Sequence, residues 1–474
     1  MAPRINGGAS DLLQRTAAHA ARYLAEIGER HAGAPTGGAE LRRMLGQALP
    51  ETGDDPEVVI DELARAGWEG TTASQGPRYF GFVTGGSLPA ATAADWLTAA
   101  WDQNAQVYAM SPIASVVEAI VAQWIKDLLG LPAAWSAGFV TGAQMASFTA
   151  LAVARSCVLR DAAWDAERDG LFGAPPIEII VSDEAHRTIF TALRMLGLGD
   201  GRVRRAATDG QGRMLPRELA QELRATNGPC IVCAQVGNVN TGAADPLGEI
   251  VPLVRERGGW LHVDGAFGAW AAVSEAYRHL TAGMSAADSI ATDAHKWLNV
   301  PYDSGIVLTA HAATHEAVMV VPAHYISRTA GERDPRSFTP DESRRARGIA
   351  LYAALRTLGR SGVAELVERC CAHARRAAAA LQAHPQVRVL NDVVLNQVLV
   401  QFVPVRADPR DAAAFTEAVI AGIQEDGTCW LGGTLWHGER AARISICNWS
   451  TTQDDIDRSV SAISRVIERV SQTP

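Results

Sequence analysis

Long apolar runs are missing from this 474-residue chain. None approaches the roughly eighteen residues that a membrane-spanning helix takes, so no membrane partner is expected. Residues 1–27 carry helical periodicity broken by charges and no apolar core of the kind a signal peptide has, and a cytoplasmic location is expected. Cysteine is scarce. Its seven copies are scattered and odd in number, which speaks against a disulfide framework and for a reducing compartment. Cys230 and Cys233 form a lone CxxC inside a predicted strand, where residues three apart face opposite sides; they read as packing, and no metal site is expected. Basic blocks are absent too: 43 basic against 52 acidic residues leave a net charge of −9, and nucleic acid is not an expected partner. There is no internal repeat.

What is present suits a globular enzyme. The length allows two or three domains, and 47% hydrophobic with 20% charged residues is ordinary composition. Helical spacing marks residues 12–27, 39–49, 56–66, 90–103 and 116–129. From 137 to 308 short apolar runs at 177–181, 202–206, 230–236, 260–263 and 287–292 alternate with helical patterns. Such alternation predicts a mostly parallel sheet covered by helices. The polar passage 327–342 is a candidate mobile loop. Helices at 343–358 and 362–383 follow, then strands near 387–390 and 398–402, a helix at 409–422, a strand at 442–447 and a last helix from about Gln453. The expected division is a helical N-terminal segment (1–110), a large α/β domain (111–325), a mobile loop with its connecting helix (326–360) and a small α+β C-terminal domain (361–474).

The stretch from Trp260 to Val307 organises the rest. Its first apolar run stops at Asp264 and Gly265, as a buried strand does on leaving a sheet, so a carboxylate is delivered to a strand's carboxyl end. After the next predicted strand, Lys296 stands among His295, Trp297 and Leu298, where solvation is not expected. The two residues make chemical sense together around pyridoxal phosphate (PLP), whose aldehyde takes a lysine Schiff base and whose pyridinium nitrogen needs an anionic partner. Burial is expected to lower the lysine's pKa and free its amine. The pair alone equally fits a turn-opening aspartate and a surface lysine.

The wider pattern is more specific. HVDGAFGAW (residues 262–270) followed by ADSIATDAHKWLNVPYDSG (residues 287–305) resembles the group II PLP-dependent decarboxylases, the family of aromatic-L-amino-acid, glutamate and histidine decarboxylases. The resemblance runs from about residue 77 to 358, with an echo near Arg443. It implies the fold type I architecture of PLP-dependent transferases and a homodimer with shared active sites. Lys296 would be the Schiff-base lysine and Asp264 the pyridinium partner. His186, in SDEAHRT, would stack on the ring. The turn at 138–147 would cradle the phosphate through the amides of Ala143 and Gln144 and the Thr141 hydroxyl. Asn238 would lie at the ring's edge, and Asp293 and His295 join the cofactor set. Phe82 and Thr84 would line the substrate pocket, together with Asn104, Gln106 and Tyr108 from the partner subunit. Arg443 suits either a substrate carboxylate or a tie between domains.

One departure stands out. The family's mobile loop carries a tyrosine that protonates the substrate carbon, but residues 327–342 contain none; Phe338 lies within and Tyr325 just upstream. The expected reaction is removal of the α-carboxylate of an L-amino acid with an aromatic or polar side chain. Three alternatives stay open: decarboxylation-dependent aldehyde synthesis, another PLP-dependent lyase or aminotransferase reaction, and a catalytically silent scaffold.

Overall fold

A computed structural model describes residues 8–46, 48–321, 329–405 and 412–472. Five helices open the chain: α1 (Ala9–Glu26), α2 (Gly38–Leu45), α3 (Pro56–Gly70), α4 (Pro89–Trp101) and α5 (Pro112–Leu128). Proline starts α3, α4 and α5, where a missing N–H costs nothing, and Asp55 and Ser111 cap α3 and α5 with side-chain oxygens. The first three helices bury almost nothing. Neither α1 nor α2 has a buried residue and α3 has only Ala66, while Leu13, Val58 and Leu63 are exposed.

The centre is a seven-stranded sheet. Its strands are β1 (Ser136–Val140), β2 (Glu178–Ser182), β3 (Arg204–Ala206), β4 (Cys230–Gln235), β5 (Trp260–Asp264), β6 (Ser289–Asp293) and β7 (Gly305–Thr309), in the order β1-β7-β6-β5-β4-β2-β3. Strands β3 to β6 pair in parallel, as the alternating pattern predicts. β7 runs antiparallel to both β6 and β1. The physical reason is length: residues 294–304 are too few for the crossover of about a dozen or more residues that a parallel return takes. The segment carrying Lys296 is therefore a wide hairpin connection. Cys230 and Cys233 are both buried, on opposite faces of β4 and in different apolar clusters.

Around the sheet lie α6 (Ala143–Asp161), α7 (Ala166–Asp169), α8 (Arg187–Met195), α9 (Pro216–Arg224), α10 (Leu247–Glu256) and α11 (Ala312–Met319). Small residues on α6, among them Ala146, Ser147 and Ala150, let it lie close on the sheet and be buried on most sides. The two helices expected at 343–383 are one long element, α12 (Gly348–Gln382), broken at Gly359, whose φ of 61° suits glycine. A four-stranded antiparallel sheet follows: β8 (Val387–Val389), β9 (Gln397–Phe402), β10 (Gly432–Trp436) and β11 (Glu439–Ser445), ordered β10-β11-β9-β8. It is backed by α13 (Ala412–Asp426) and α12, and α14 (Gln453–Gln472) packs on both helices. The start of the helix expected at 409–422 lies outside the described residues. Among the described residues no helix is long and apolar enough to cross a membrane.

Candidate active site

The carboxyl ends of β5 and β6 adjoin, with Asp264 in register with Ala291. Asp264 is buried, and one carboxylate oxygen accepts the Ala266 amide at 3.1 Å. Burial raises its pKa, and the charges of His186 and Lys296 oppose that. His186 precedes α8, its Nδ1 2.8 Å from the Thr188 hydroxyl. Burial lowers the imidazole, Asp264 opposes, and Lys296 adds to the lowering, so the ring is neutral at pH 7. The structure thus brings Asp264, His186 and Lys296 into one electrostatic cluster.

Lys296 departs from expectation. Its Nζ is 3.0 Å from Asp293 Oδ2. Burial by itself lowers the ammonium, but the charge and hydrogen bond of Asp293, with Asp264 behind them, outweigh it, and the group stays above the usual lysine range. Asp293 Oδ1 also accepts the Ala143 amide at 2.6 Å and lies 3.5 Å from His295 Nε2. The Ser304 amide donates to His295 Nδ1 at 3.2 Å, which leaves the ring proton on Nε2, facing Asp293.

Close backbone approaches frame this cluster. A β-carbon on Gly305 would meet Gly142 Cα at 2.3 Å, and one on Gly142 would fall 3.3 Å from the His295 ring. Residues 80–88 cross over the lysine, with Phe82 and Val83 in the left-handed region and Thr84 buried. Asn299, wholly buried, ties three segments together. Its Oδ1 accepts the amides of Gly86 and Trp449 at 2.8 and 3.0 Å, and its Nδ2 donates to the carbonyls of Trp297 and Cys447, both at 2.9 Å.

The remaining predicted residues divide. Thr141 and Gln144 are exposed at the start of α6; the first-turn amides of Gln144 and Met145 lack intrahelical acceptors, while that of Ala143 is taken by Asp293. Asn238 is fully buried: its Oδ1 holds the turn through the amides of Asn240 and Thr241, and its Nδ2 has no partner. Phe82 is exposed and lies 5.3 Å from the Trp430 ring.

Among the described residues, no hydrogen bond or ion pair joins Asn104, Gln106 or Tyr108 to the lysine cluster. Asn104 Oδ1 accepts the Arg344 amide, Gln106 Nε2 donates to Glu342, and the Tyr108 amide donates to Asp334. They are knitted to the polar passage expected to be a mobile loop, which is docked from Asp334 to Thr339, with Asp334, Arg336, Ser337 and Thr339 buried. Its anchor is an ion pair inside the protein, Arg344 to Glu118 at 2.7 Å, the two side chains 0% and 1% exposed. Arg344 also donates to the carbonyls of Ala105 and Phe139. The Phe338 ring packs under Arg333 at 4.0 Å. Tyr325 lies outside the described residues.

The side chain of Arg443, on β11, makes no hydrogen bond or ion pair among the described residues, and burial lowers its pKa. Hydrogen bonds from Asn391 to the Thr241 carbonyl and from Thr434 to Asn240 are among those that tie the C-terminal part to the large sheet's connections; the Arg443 side chain contributes none among the described residues. One residue the sequence reading passed over is Tyr302. Tyr302 is 63% exposed and its ring stacks on His295 at 4.3 Å; local desolvation of the phenol raises its pKa, while a Thr84 hydrogen bond and Lys296 oppose. Its place within the lysine motif, six residues after Lys296, was the available signal.

The arrangement fits PLP on its own terms. It offers a lysine amine, a buried carboxylate counter-charge for a cationic ring nitrogen, a flat neutral imidazole and helix-start amides for an anion. Residues 39–403 match the family described as the pyridoxal-dependent decarboxylase conserved domain. The chain is 26% identical to an aromatic-L-amino-acid decarboxylase of Bacillus atrophaeus, over 91% of this chain and 89% of that one. It is 28% identical to an L-2,4-diaminobutyrate decarboxylase of Rhizobium meliloti (strain 1021), over 88% and 83%. The fold is that of the Oryza sativa TDC crystallised with PLP and tryptamine: TM-score 0.92 at 20% identity, with both chains covered completely. On the match over residues 39–403, the chain belongs to the pyridoxal-dependent decarboxylase family and is a PLP-dependent carboxy-lyase acting on an amino acid.

Proposed function

We propose that this enzyme removes the α-carboxylate of an L-amino acid with a polar or aromatic side chain and releases the amine. The observation that carries the reading is the convergence of Lys296, Asp264 and His186 at the ends of β5 and β6 and the start of α8. Bound PLP supplies the sink for the electron pair freed when the carboxylate leaves. Lys296 holds the cofactor by its amine, and Asp264 keeps the ring nitrogen charged. His186 packs against the ring face. Asn238 has a free buried donor to offer, while Thr141, Ala143, Gln144, Asp293 and His295 surround the anionic end. Arg443, whose side chain has no hydrogen-bond or ion-pair partner among the described residues, binds a substrate carboxylate. Tyr302 donates the proton that replaces the carboxylate at the α-carbon, taking the part of the tyrosine that residues 329–342 lack.

The exposed apolar side chains of α1 and α3 support a homodimer built through this segment. In that assembly Asn104, Gln106 and Tyr108 join Phe82 and Thr84 at the partner's site. Seven free cysteines agree with a cytoplasmic location.

A second reading, decarboxylation with oxidation to an aldehyde, is favoured by that missing loop tyrosine. Both are tested by supplying each common amino acid with and without oxygen and measuring carbon dioxide, amine and aldehyde. No carbon dioxide from any of them, with PLP attached to Lys296, would overturn both. Mixing Lys296→Ala with an inactive Tyr108 variant should restore part of the activity through hybrid dimers; none from mixtures shown to exchange subunits refutes shared sites.

A further inference from the structure

The Asp293 carboxylate is 2% exposed at the end of β6 and has three neighbours. It accepts the first amide of α6, pairs with the Lys296 amine and faces the His295 Nε2–H. Helix α6 runs for 19 residues, so its N-terminus carries a favourable field for an anion, and the glycine before it leaves the space open on that side. Two things the cofactor requires are thus already engaged by one side chain. Its phosphate needs the amides at the start of α6, and its aldehyde needs the Lys296 amine.

We infer that Asp293 is a positioning residue that occupies the anion cradle and holds Lys296 in an ion pair until the cofactor's phosphate displaces it. The inference rests on PLP binding at Lys296. Asp293 is then a brake on loading: a phosphate, carrying nearly two negative charges, enters beside a carboxylate that keeps only neutral partners, the Ala143 amide and the His295 N–H, once Lys296 has left it. A merely structural cap makes a different prediction. Asparagine retains the carbonyl oxygen that accepts the Ala143 amide, so under that reading Asp293→Asn changes no ligand preference.

The probes are pyridoxine 5′-phosphate and pyridoxine, which lack the aldehyde and cannot bond to Lys296. Their affinities are measured calorimetrically on the full chain freed of cofactor, for wild type, Asp293→Asn and Asp293→Ser, with thermal midpoints as a check on folding. Removing the like charge should tighten pyridoxine 5′-phosphate by a factor of about ten or more and leave pyridoxine unchanged. The serine variant, which removes the charge in a different way, should move in the same direction. Equal or weaker binding of the phosphorylated probe by the folded variants overturns the inference. Borohydride reduction with PLP separates the two levels: label on Lys296 of wild type without a gain in the variants overturns the inference alone. Absence of label on Lys296 overturns the cofactor assignment with it.

Discussion

Gly85 passes so close to Lys296 that a β-carbon on it would fall 2.0 Å from the lysine's carbonyl oxygen. That oxygen belongs to the turn closed by the Asn299 amide at 3.2 Å. The obstacle is backbone, which cannot swing aside as a side chain can.

Gly85→Ala should therefore displace the lysine turn or the 80–88 segment, at a cost of about 1–3 kcal/mol of stability. Urea denaturation measures the loss, and borohydride labelling with PLP should show Lys296 modified more slowly. A variant with unchanged midpoint and labelling rate would mean that the segment yields freely.

Glu118→Ala should be among the most damaging single changes away from the lysine. It leaves Arg344 buried without its counter-charge, which typically costs about 3–5 kcal/mol. The double replacement Glu118→Leu with Arg344→Met should recover part of that stability, because Arg344 is no longer stranded, although Arg333, 3.8 Å from Glu118, still loses its carboxylate. It should still loosen the 334–344 passage, read out as faster proteolysis there. Equal destabilisation by the single and double variants would show that the pair is not the anchor.

Tyr302→Phe should lower amine formation on the order of a hundredfold or more, the usual worth of a positioned general acid. The phenol, whose pKa lies above the ordinary tyrosine value, is protonated at neutral pH and able to donate. Aldehyde should rise as amine falls when oxygen is present. Amine formation at the wild-type rate would assign the proton to another group.

Two buried histidines make stability depend on pH. Burial holds His262 and His315 at about 3 against an ordinary 6.5. Between those values the unfolded chain binds protons that the folded chain refuses, so each ring withdraws stability as pH falls, by up to about 1.4 kcal/mol per unit. Asp245, raised to about 7, acts in the opposite sense, so the comparison has to be between variants. The stability advantage of wild type over His315→Asn should shrink steadily from pH 7 to 4 in chemical denaturation. A constant gap would contradict the assignment.

The residues legible in the sequence were those whose position follows from strand ends. Asp264 ends one apolar run and Lys296 follows the next, so both were placed near the carboxyl ends of predicted strands. The antiparallel β7 was less visible, because its direction depends on the length of the connection before it rather than on its own residues. Asp293 was read as part of the cofactor set, but its hold on Lys296 was not foreseen: burial of a lysine predicts a lowered pKa only when no carboxylate accompanies it. The passage at 327–342 looked loose because it is polar, yet it is docked from Asp334 to Thr339. That stretch is buried through arginine and aspartate contacts with backbone, which hydropathy does not register. Arg443 looked like an interdomain tie, yet the ties are amides and hydroxyls whose partners lie some 150 and 194 residues away.

Asn299 has a consequence for the life of the nascent chain. Its four side-chain hydrogen bonds join the lysine turn to Gly86, made 213 positions earlier, and to Cys447 and Trp449, made 148 and 150 positions later. Contacts of such sequence separation form late, after the segments between them have collapsed. A ribosome that has just finished the Lys296 codon thus holds a chain with no lysine pocket, and remains without one until the C-terminal sheet has emerged. The frame around Lys296 is therefore complete only once the residues around Cys447 and Trp449 have been made and folded onto it.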